Sequence, residues 1–394
     1  MSLHPISKYL VDSVAAQTLL DGRFTDLKLV NFDSVNDLQR GCFSLVFRAS
    51  DNSTGQVVAL KFFDPAAAMD SYRLDCFHRE FELLNSLRKA EGCLQLMSGL
   101  TKYQLTVPAP LGPAISFPCE YFAVDWIDDE IDHYFLSQHL YGAVEKLKLF
   151  RDLVSAVHAL HRQRVFHRDL KPDNLRQRTI NRLRSVVPID LGTAARADAP
   201  NLQASYARPA GAPAYAAPEA RCGLGGDRLV ARYTDYYAMG CMLFELFNFD
   251  LYCVAHQLLN STAPVLLAAL NSSLDPHADT ERRRMQWCST MDRMSKAFVA
   301  VPIDGPGSDV PRGIAPLLNG LVRSLTHVDY RLRPTDLHWV QRKLTSCIRV
   351  LENEKLYQKY RQEARDERAR RIARAAQKEL RLKQKLNQPR RFSC

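Results

Sequence analysis

The sequence lacks the features that mark membrane proteins, disulfide frameworks and zinc sites. No apolar run approaches the roughly 20 residues that a membrane-spanning helix needs. The ten cysteines are scattered from Cys42 to Cys394, with no C-x-x-C pair and no cysteine and histidine cluster at zinc-binding spacing. The first residues carry no basic stretch of the kind that opens a secretory signal. These absences exclude a disulfide scaffold and predict a soluble, cytoplasmic chain with no membrane span.

Length and composition are those of a large globular protein. The 394 residues are 46% hydrophobic and 24% charged, which suits a two-lobed enzyme with an extension. The net charge of +10 is concentrated at the C-terminus, where residues 352–394 hold 14 Lys/Arg against 6 Asp/Glu. Because the rest of the chain is nearly neutral, the sequence predicts a local basic tail and no general nucleic-acid-binding surface.

Hydrophobic periodicity predicts a strand-rich first third followed by helices. Residues 1–21 have the apolar spacing of a short amphipathic helix. Strands are predicted at 24–35, 41–49 and 57–63, with Asn52-Ser53-Thr54-Gly55 as a hairpin turn, and again toward 121–124. Residues 71–87 repeat apolar side chains every three or four positions, as an amphipathic helix does. From about residue 136 to residue 352 the pattern is mainly helical.

Residues 167–174, His-Arg-Asp-Leu-Lys-Pro-Asp-Asn, combine a carboxylate, a cation and an amide within eight positions. The Asp169 carboxylate is placed to accept the hydrogen bond of an attacking hydroxyl, and the Lys171 ammonium to neutralise a transferring phosphate. The Asn174 amide oxygen is placed to bind a metal. A solvated turn would explain any one of these residues, but not the whole pattern in register. The run therefore indicates a phosphoryl-transfer site.

Three further charged residues have the spacing that such a site needs. Lys61 ends an apolar strand, and Glu80 lies nineteen positions later on the predicted helix, where it is placed to orient the lysine. Glu82 is the alternative partner, and an ordinary surface ion pair is the alternative role. Asp190 follows an apolar strand sixteen residues after Asn174, so it is placed to bind Mg²⁺ together with that asparagine.

These residues together resemble the eukaryotic-type protein kinase family, serine/threonine branch, over about residues 38–333. The matching stretches are 58–61, 167–174, 190–192, 217–219 and 235–240. The resemblance implies an α+β, two-lobed protein kinase fold, with a small strand-rich N-lobe that has one key helix and a larger, mainly helical C-lobe. We assign residues 1–23 to an N-terminal extension, 24–127 to the N-lobe, 128–351 to the C-lobe and 352–394 to a basic helical tail.

The resemblance also implies a role for each catalytic residue. Lys61 would hold the α- and β-phosphates of ATP, and Glu80 would orient Lys61. Asp169 would be the catalytic base, with Lys171 beside it at the transferring phosphate. The activity implied is transfer of the ATP γ-phosphate to a protein serine or threonine.

The cofactors implied are ATP and Mg²⁺. Asn174 and Asp190 would bind the metal, and Val124 would be the gatekeeper beside adenine. Asp125 and Ile127 would present backbone groups to the adenine ring. The full set of nucleotide-contacting residues that the resemblance implies is Gly41, Val46, Ala59, Lys61, Val124, Asp125, Ile127, Asn174 and Asp190.

Two further features follow from the same resemblance. Arg168, next to the base, is similar to the arginine of kinases whose activation segment is ordered by phosphorylation. Glu219 would form a buried structural ion pair with Arg333. The candidate phosphorylation sites in the activation segment are Thr193, Ser205 and Tyr206, of which Ser205 is favoured by position.

The sequence departs from the family in two places. Residues 38–46, Leu-Gln-Arg-Gly-Cys-Phe-Ser-Leu-Val, keep only Gly41 of the three expected glycines, which restricts how closely the backbone approaches phosphate. Ala212 stands where serine/threonine kinases have a threonine whose hydroxyl bridges the catalytic aspartate and lysine. These departures leave open a second hypothesis, a weakly active or pseudokinase-type adaptor that binds partners through its lobes and tail.

The basic tail has the composition of a long exposed helix. Residues 352–388 contain no proline or glycine and place pairs such as Glu367 and Arg371 at helix-supporting spacing. Its apolar residues do not sustain a coiled-coil seam. Nucleic acid, anionic lipid or an acidic protein would suit such a helix, but so would water alone. Residues 247–313 match the family least, and are either a partner-docking insertion or a solvated helix and loop.

Overall fold

The computed structural model describes residues 3–33, 38–39, 44–108, 112–198 and 211–386. They form a small N-lobe built on a five-stranded sheet and a larger, mainly helical C-lobe, which confirms the predicted two-lobed α+β fold. The chain crosses between the lobes at residues 126–128, after the last strand of the N-lobe sheet. A long C-terminal helix follows the C-lobe.

The N-lobe sheet is antiparallel, with strand order β1-β4-β5-β7-β6. Its strands are β1 (Phe24–Leu29), β4 (Ser44–Asp51), β5 (Gln56–Phe63), β6 (Thr101–Val107) and β7 (Ile115–Asp125), and a separate ribbon is formed by β2 (Phe32–Asp33) and β3 (Leu38–Gln39). The strand pattern predicted at 24–35 thus corresponds to two strands, β1 and β2, with a break between them. The Asn31 side chain bonds Ser44 O at 2.8 Å and Val46 N at 2.9 Å, and the chain leaves the sheet edge there.

The alternation of side chains gives the sheet two buried faces. One face, with Ala59, Phe122 and Val124, packs on the amphipathic helix α2 (Ser71–Ser86) and faces the cleft. Asp70 begins this helix by accepting a hydrogen bond from Arg73 N at 3.2 Å. The opposite face packs a second apolar cluster that includes Leu60.

The N-terminal helix α1 (Pro5–Ala15) covers this second face. Leu10 and Val14 are fully buried in the same cluster as the sheet residues, and Ser7 Oγ donates to Asp64 at 2.6 Å in a buried site. The amphipathic helix predicted from residues 1–21 is confirmed. The helix is an integral layer of the N-lobe, because without it the apolar outer face of the sheet would be exposed to water.

The C-lobe is built around two long helices. Helix α6 (Ala231–Glu245) lies in the core with most of its side chains buried. Helix α4 (Ala143–Arg162) packs against α11 (Leu337–Glu352). Gly240 permits the close approach of α10, because a Cβ at this position would lie 2.5 Å from Thr326 Cγ2. The helices are α3 (His133–Leu136), α4 (Ala143–Arg162), α5 (Pro218–Arg221), α6 (Ala231–Glu245), α7 (Tyr252–Leu259), α8 (Ala263–Ser272), α9 (Thr280–Met294), α10 (Ala315–Leu325) and α11 (Leu337–Glu352).

Short strands interrupt the region that the sequence predicted as mainly helical. They are β8 (Asp129–Glu130), β9 (Val165–Phe166), β10 (Leu175–Ile180), β11 (Leu183–Pro188) and β12 (Ala195–Arg196). Strands β10 and β11 form a hairpin that packs on α4, and β9 pairs with β12. The hairpin brings Asn174, just before β10, next to Ile189, just after β11, where Ile189 N donates to Asn174 O at 2.9 Å.

The divergent region 247–313 belongs to the C-lobe core. Trp287 on α9 is fully buried and stacks on Tyr330, with ring centroids 5.0 Å apart. Leu270 on α8 is also buried. These contacts argue against the solvated-loop interpretation. In the described part of the chain no single helix is long and apolar enough to span a membrane; only α7 and α8 together, bent by 95°, have such a length and composition.

Helix α12 (Glu354–Leu386) extends from the end of α11. Its described side chains, from residue 359 to residue 377, are exposed apart from the partly buried Arg361. Arg371 pairs with Glu367 at 2.6 Å across one helical turn, as the spacing predicted. Over the described side chains, residues 359–377, the helix is therefore a solvated arm.

A buried ion pair ties the end of the activation segment to the C-lobe. Arg333 donates to both carboxylate oxygens of Glu219, at 2.6 and 2.9 Å, and both side chains are 0% exposed. Arg333 also donates to Tyr233 O at 2.8 Å and to His327 O at 2.8 Å. The predicted pair is confirmed, and its other hydrogen bonds compensate the cost of burying the guanidinium.

We expect Arg333→Met to lower the free energy of unfolding by about 3–5 kcal/mol, because it leaves the Glu219 carboxylate buried without its cation. Urea denaturation followed by circular dichroism measures the change. The matched control is Arg371→Met, whose arginine forms an exposed pair and should cost about 0–1 kcal/mol. Equal losses in the two variants would contradict the structural role of Arg333.

Candidate active site

A buried charge cluster lies in the cleft between the lobes. Lys61 Nζ, on β5, donates to the two carboxylate oxygens of Glu80 at 2.7 and 2.6 Å and lies 3.5 Å from Asp190 Oδ1. Glu80 Oε1 also accepts a hydrogen bond from Leu191 N at 3.2 Å. Glu80 is thus the partner of Lys61, while the alternative, Glu82, is exposed on the outer side of α2.

The electrostatic environment keeps Lys61 charged. Burial lowers the pKa of the ammonium, but the carboxylates of Glu80 and Asp190 outweigh this and raise the pKa above its ordinary value. Asp190 has a left-handed backbone, with φ 62° and ψ 68°, which turns its carboxylate toward Lys61. The cluster therefore presents a fixed cation beside a partly exposed carboxylate, which is an arrangement suited to phosphate and metal.

Asp235 on α6 holds the catalytic loop at 167–174 through hydrogen bonds to its backbone. The buried Asp235 carboxylate accepts hydrogen bonds from His167 N at 2.9 Å and Arg168 N at 2.7 Å, and lies 2.7 Å from His161 Nε2. Arg168 has φ 66°, a backbone conformation that costs about 1–3 kcal/mol and persists only where its surroundings impose it. Asp235 supplies that constraint and so directs the next residue, Asp169.

His167 connects the loop to the segment that follows strand β11 and carries Asp190. Its Nδ1 accepts from Asp169 N at 3.3 Å, so the proton resides on Nε2, which donates to Ile189 O at 2.9 Å. The imidazole thereby fixes the backbone just before Asp190 relative to Asp169. The His167 side chain therefore fixes the position of Asp169 relative to that of Asp190.

Asp169 is fixed at both carboxylate oxygens. Oδ1 accepts from Ala212 N at 2.6 Å, and Oδ2 accepts from Asn174 Nδ2 at 3.1 Å. Gly211 makes the first contact feasible, because a Cβ there would lie 2.5 Å from Arg168 O. The backbone amide of Ala212 thus holds the aspartate that the family's threonine hydroxyl would otherwise bridge.

The pKa of Asp169 is raised above its ordinary value. Burial is the main cause, and the charge of Asp190 adds to it, while Lys171, His167 and the amide of Ala212 act in the opposite direction. A carboxylate with a raised pKa is a stronger base than a free aspartate. Lys171 has a partly exposed side chain, and its Nζ lies 3.9 Å from the Asp173 carboxylate.

The donor set suits Mg²⁺. Asn174 Nδ2 is engaged by Asp169 O at 2.8 Å and by its carboxylate, which fixes the amide so that Oδ1 is the atom left for a cation. Asp190 offers a carboxylate that is about a quarter exposed. Hard oxygen donors supplemented by water and substrate phosphates are what this metal prefers. Asn174 and Asp190 would therefore hold Mg²⁺, which would neutralise charge on the phosphates.

Three of the residues predicted to contact the nucleotide, Val46, Ala59 and Val124, share one face of the N-lobe sheet. Ala59 pairs with Val124, and Val46 pairs with Lys61, across neighbouring antiparallel strands. These apolar residues and Ile127 belong to a single cluster that lines the cleft next to the charged residues. The structure brings this group together as an apolar wall. Gly41 lies outside the described residues, as do Cys42 and Phe43 of the glycine-poor loop.

Asp125 lies at the start of the connection between the lobes. Its carboxylate accepts from Gln95 N at 3.0 Å and forms an ion pair with Arg178 on the C-lobe hairpin. The side chain of Asp125 is therefore used to fasten the connection to both lobes. The backbone N–H of Asp125 donates to Gln95 O at 3.0 Å, and the contact of its backbone with adenine stays a prediction.

The predicted phosphorylation sites differ in their accessibility. Thr193 is buried, and its hydroxyl faces His167 O at 3.5 Å, so it is not available to a second kinase molecule. Ser205 and Tyr206 lie outside the described residues. Arg168 is 8% exposed, and within the described structure its Nε and Nη2 atoms have no hydrogen-bond partner. Burial lowers the pKa of this guanidinium to about 10.

Two functional groups were missed by reasoning from the sequence. Asp235 belongs to the matching stretch 235–240, but no spacing signal in the sequence connects it to Asp169, 66 residues earlier. The amide of Ala212 carries no side-chain signal at all. Both act through hydrogen bonds to distant parts of the chain, which only the folded structure reveals.

The comparisons with known proteins agree with this geometry. Residues 32–345 match the family model described as protein kinase domain. CBL-interacting protein kinase 11 of Oryza sativa subsp. japonica is 26% identical over 228 residues, 58% of this chain and 41% of that protein. CBL-interacting serine/threonine-protein kinase 12 of Arabidopsis thaliana is 28% identical over 232 residues, 58% of this chain and 41% of that protein.

A fungal relative matches more of the chain. The carbon catabolite-derepressing protein kinase of Candida glabrata is 24% identical over 273 residues, 67% of this chain and 40% of that protein. The chain thus spans about two fifths of the length of the curated relatives it matches. Because the family model covers more than three quarters of the sequence, the chain belongs to the protein kinase domain family.

Proposed function

We propose that this protein transfers the γ-phosphate of ATP to serine or threonine hydroxyls of protein substrates. The observation that carries the proposal is the assembled cluster of Lys61, Glu80 and Asp190 opposite the held base Asp169. The names of the relatives support serine/threonine specificity, since one is a serine/threonine-protein kinase. Lys171 in the catalytic loop also supports serine/threonine specificity.

Each residue has a defined task in the proposed reaction. The substrate hydroxyl donates a hydrogen bond to Asp169, which takes its proton as the oxygen attacks the γ-phosphorus. The bond from that phosphorus to the β–γ bridging oxygen breaks, and ADP is released. Lys61 binds the α- and β-phosphates, and Lys171 stabilises negative charge on the transferring group. Asn174 and Asp190 would hold Mg²⁺, which would neutralise charge on the phosphates. The apolar wall around Val124 excludes water from the nucleotide base.

The adaptor hypothesis has less support. It rested on the glycine-poor loop and on Ala212, but the amide of Ala212 holds Asp169 at 2.6 Å without a threonine hydroxyl. Lys61, Asp169 and Asp190 are all present in the sequence, and Lys61 lies 3.5 Å from Asp190, which supports catalysis. We therefore propose an active enzyme.

We expect Asp169→Asn to reduce kcat by about 10²–10⁴-fold, because an amide cannot accept the substrate proton. Transfer of labelled phosphate from Mg²⁺-ATP to dephosphorylated casein and to histone measures it. Asp12→Asn is the control, since its exposed carboxylate pairs with Lys8 on the N-terminal helix α1. The proposed function fails if wild type and Asp169→Asn incorporate equal phosphate.

The pH dependence of the reaction reports on the base. Asp169 acts as a carboxylate, so kcat/KM should fall as the pH drops through its raised pKa. Lys171 lowers that pKa, and we expect Lys171→Met to move the acid limb of the profile to higher pH besides reducing the rate. Lys148→Met, at an exposed pair with Glu352, should leave the acid limb in place. A limb that stays fixed or moves to lower pH in Lys171→Met would refute the assignment.

We also propose that phosphorylation of the activation segment regulates the enzyme. The buried guanidinium of Arg168 has unsatisfied donors in the described structure, and a phosphate would supply acceptors for them. Phosphatase treatment should lower wild-type kcat several-fold and leave Arg168→Met, already slow, unaffected. Mass spectrometry should find the phosphate on Ser205 in preference to Tyr206. An equal effect of phosphatase on both proteins would refute this regulation.

A further inference from the structure

A groove opens on the C-lobe directly beside the catalytic loop. The cavity has a volume of about 220 Å³ and is lined in part by Lys171 and Pro172. It is smaller than the roughly 300–1,000 Å³ of pockets that enclose a small-molecule ligand, so it has room for one or two side chains of an extended chain. A protein substrate that presents its hydroxyl to Asp169 must pass this groove.

The groove is acidic. Four carboxylates line it, those of Asp132, Asp173, Glu245 and Asp250. Glu245 is already engaged, because its carboxylate accepts from Tyr215 Oη at 2.7 Å and from Tyr252 N at 3.1 Å, and burial raises its pKa to about 7. The other three are exposed or half-buried, and Lys171 is the one basic residue among the lining side chains. A cationic side chain therefore fits the groove electrostatically.

The rim of the groove is apolar and exposed. Two large apolar residues of the lining are largely exposed, Leu136 at 77% and Phe249 at 73%. Large apolar side chains that border an acidic groove favour an occupant that combines positive charge with an aromatic or aliphatic side chain. The groove thus specifies the composition of the segment that it would bind.

The C-terminal segment of this chain has that composition. Residues 387–394 read Asn-Gln-Pro-Arg-Arg-Phe-Ser-Cys, beyond the end of α12 at Leu386. Ser393 is the only serine or threonine after Ser346, and it is preceded directly by Phe392 and by the two arginines Arg390 and Arg391. The two positive charges complement the carboxylates of the groove, and the phenylalanine matches the apolar rim.

The arm that carries this segment points to a second molecule as the enzyme. Helix α12 has 33 residues, which is a length of about 50 Å. Its described side chains are exposed around the whole circumference over residues 362–377, so this part of the helix does not fold back onto its own lobes. A solvated arm of this length presents its end to the active site of another copy.

We propose that the acidic groove selects basic residues just before the phosphoacceptor, and that Ser393 of a second copy is phosphorylated in this way. The inference rests on the proposed kinase activity. The Oγ of Ser393 forms a bond to the γ-phosphorus of ATP while the bond from that phosphorus to the β–γ bridging oxygen breaks. The hydroxyl proton passes to Asp169, and ADP is released. Arg390 or Arg391 lies in the groove, beside Asp132, Asp173 and Asp250.

A mixing experiment with full-length chains tests the transfer between copies. Active enzyme carrying Ser393→Ala is incubated with Mg²⁺-ATP and a tagged Asp169→Asn chain, which is inactive but retains Ser393. Mass spectrometry should find phosphate on Ser393 of the tagged chain. Replacing Arg390 and Arg391 in the tagged chain with alanine should lower the initial rate at least tenfold.

Synthetic peptides test the groove itself. A peptide of residues 385–394 and its Arg390→Ala, Arg391→Ala version are compared as substrates of the full-length enzyme. Wild type should prefer the arginine peptide at least tenfold in kcat/KM, and the enzyme with Asp132→Asn and Asp250→Asn should lose most of that preference. Asp304→Asn, an exposed carboxylate outside the groove, should retain the full preference.

The outcomes separate this inference from the proposed function. Phosphate on the tagged chain together with a preference that the groove variant loses supports the inference. Phosphorylation of casein that depends on Asp169, without phosphate on Ser393, overturns the inference and leaves the kinase activity standing. Phosphate on Ser393 in wild type alone, and never on the tagged chain, overturns transfer between copies. No Asp169-dependent transfer to any substrate refutes the proposed function and the inference with it.

Discussion

The buried pair of Lys61 and Glu80 is the interaction on which the cleft depends. It joins the central strand β5 to helix α2, and through Leu191 N it reaches the segment that carries Asp190. Removing either charge would strand the other in the interior, at a cost of several kcal/mol. The pair therefore couples the position of the helix to that of Asp190. A nucleotide would meet a site that the fold has already assembled.

The C-lobe contributes a second buried anchor, the carboxylate of Asp235. It holds two successive backbone amides of the catalytic loop, one of them in a left-handed conformation. Helix α6, which carries Asp235, is buried within the C-lobe core. The base Asp169 is thus positioned by the core of the lobe, and its own two carboxylate oxygens are fixed by Asn174 and by the amide of Ala212. The proposed chemistry therefore rests on main-chain hydrogen bonds as much as on side chains.

The chain carries two helical additions around this kinase core, and they differ in kind. The N-terminal helix α1 is a structural layer, because Leu10 and Val14 close an apolar face of the sheet. In the C-terminal helix α12 the described side chains, residues 359–377, are exposed apart from the partly buried Arg361. The role that we propose for this helix rests on the arginines and the serine at the end of the sequence. The acidic groove beside Lys171 supplies a chemical match for that end.

Much of the fold was readable from the sequence, because period-two and helical patterns report directly on which faces are buried. The hairpin turn at 52–55, helix α2 and the spacing of Lys61, Asp169, Asn174 and Asp190 all belong to that local information. The break after β1 was not readable, since it depends on Asn31 bonding to a strand thirteen residues away.

The sequence alone determined which groups are present: a protein kinase domain, its predicted catalytic groups and a basic tail. What only the tertiary structure decided is how those groups are held. Asp235 beneath the loop, the amide of Ala212 on the base, the burial of α1 and the acidic groove all join residues distant along the chain. Hydrogen bonds and packing between distant segments leave no periodic trace in the sequence, because each partner alone resembles an ordinary polar or apolar residue.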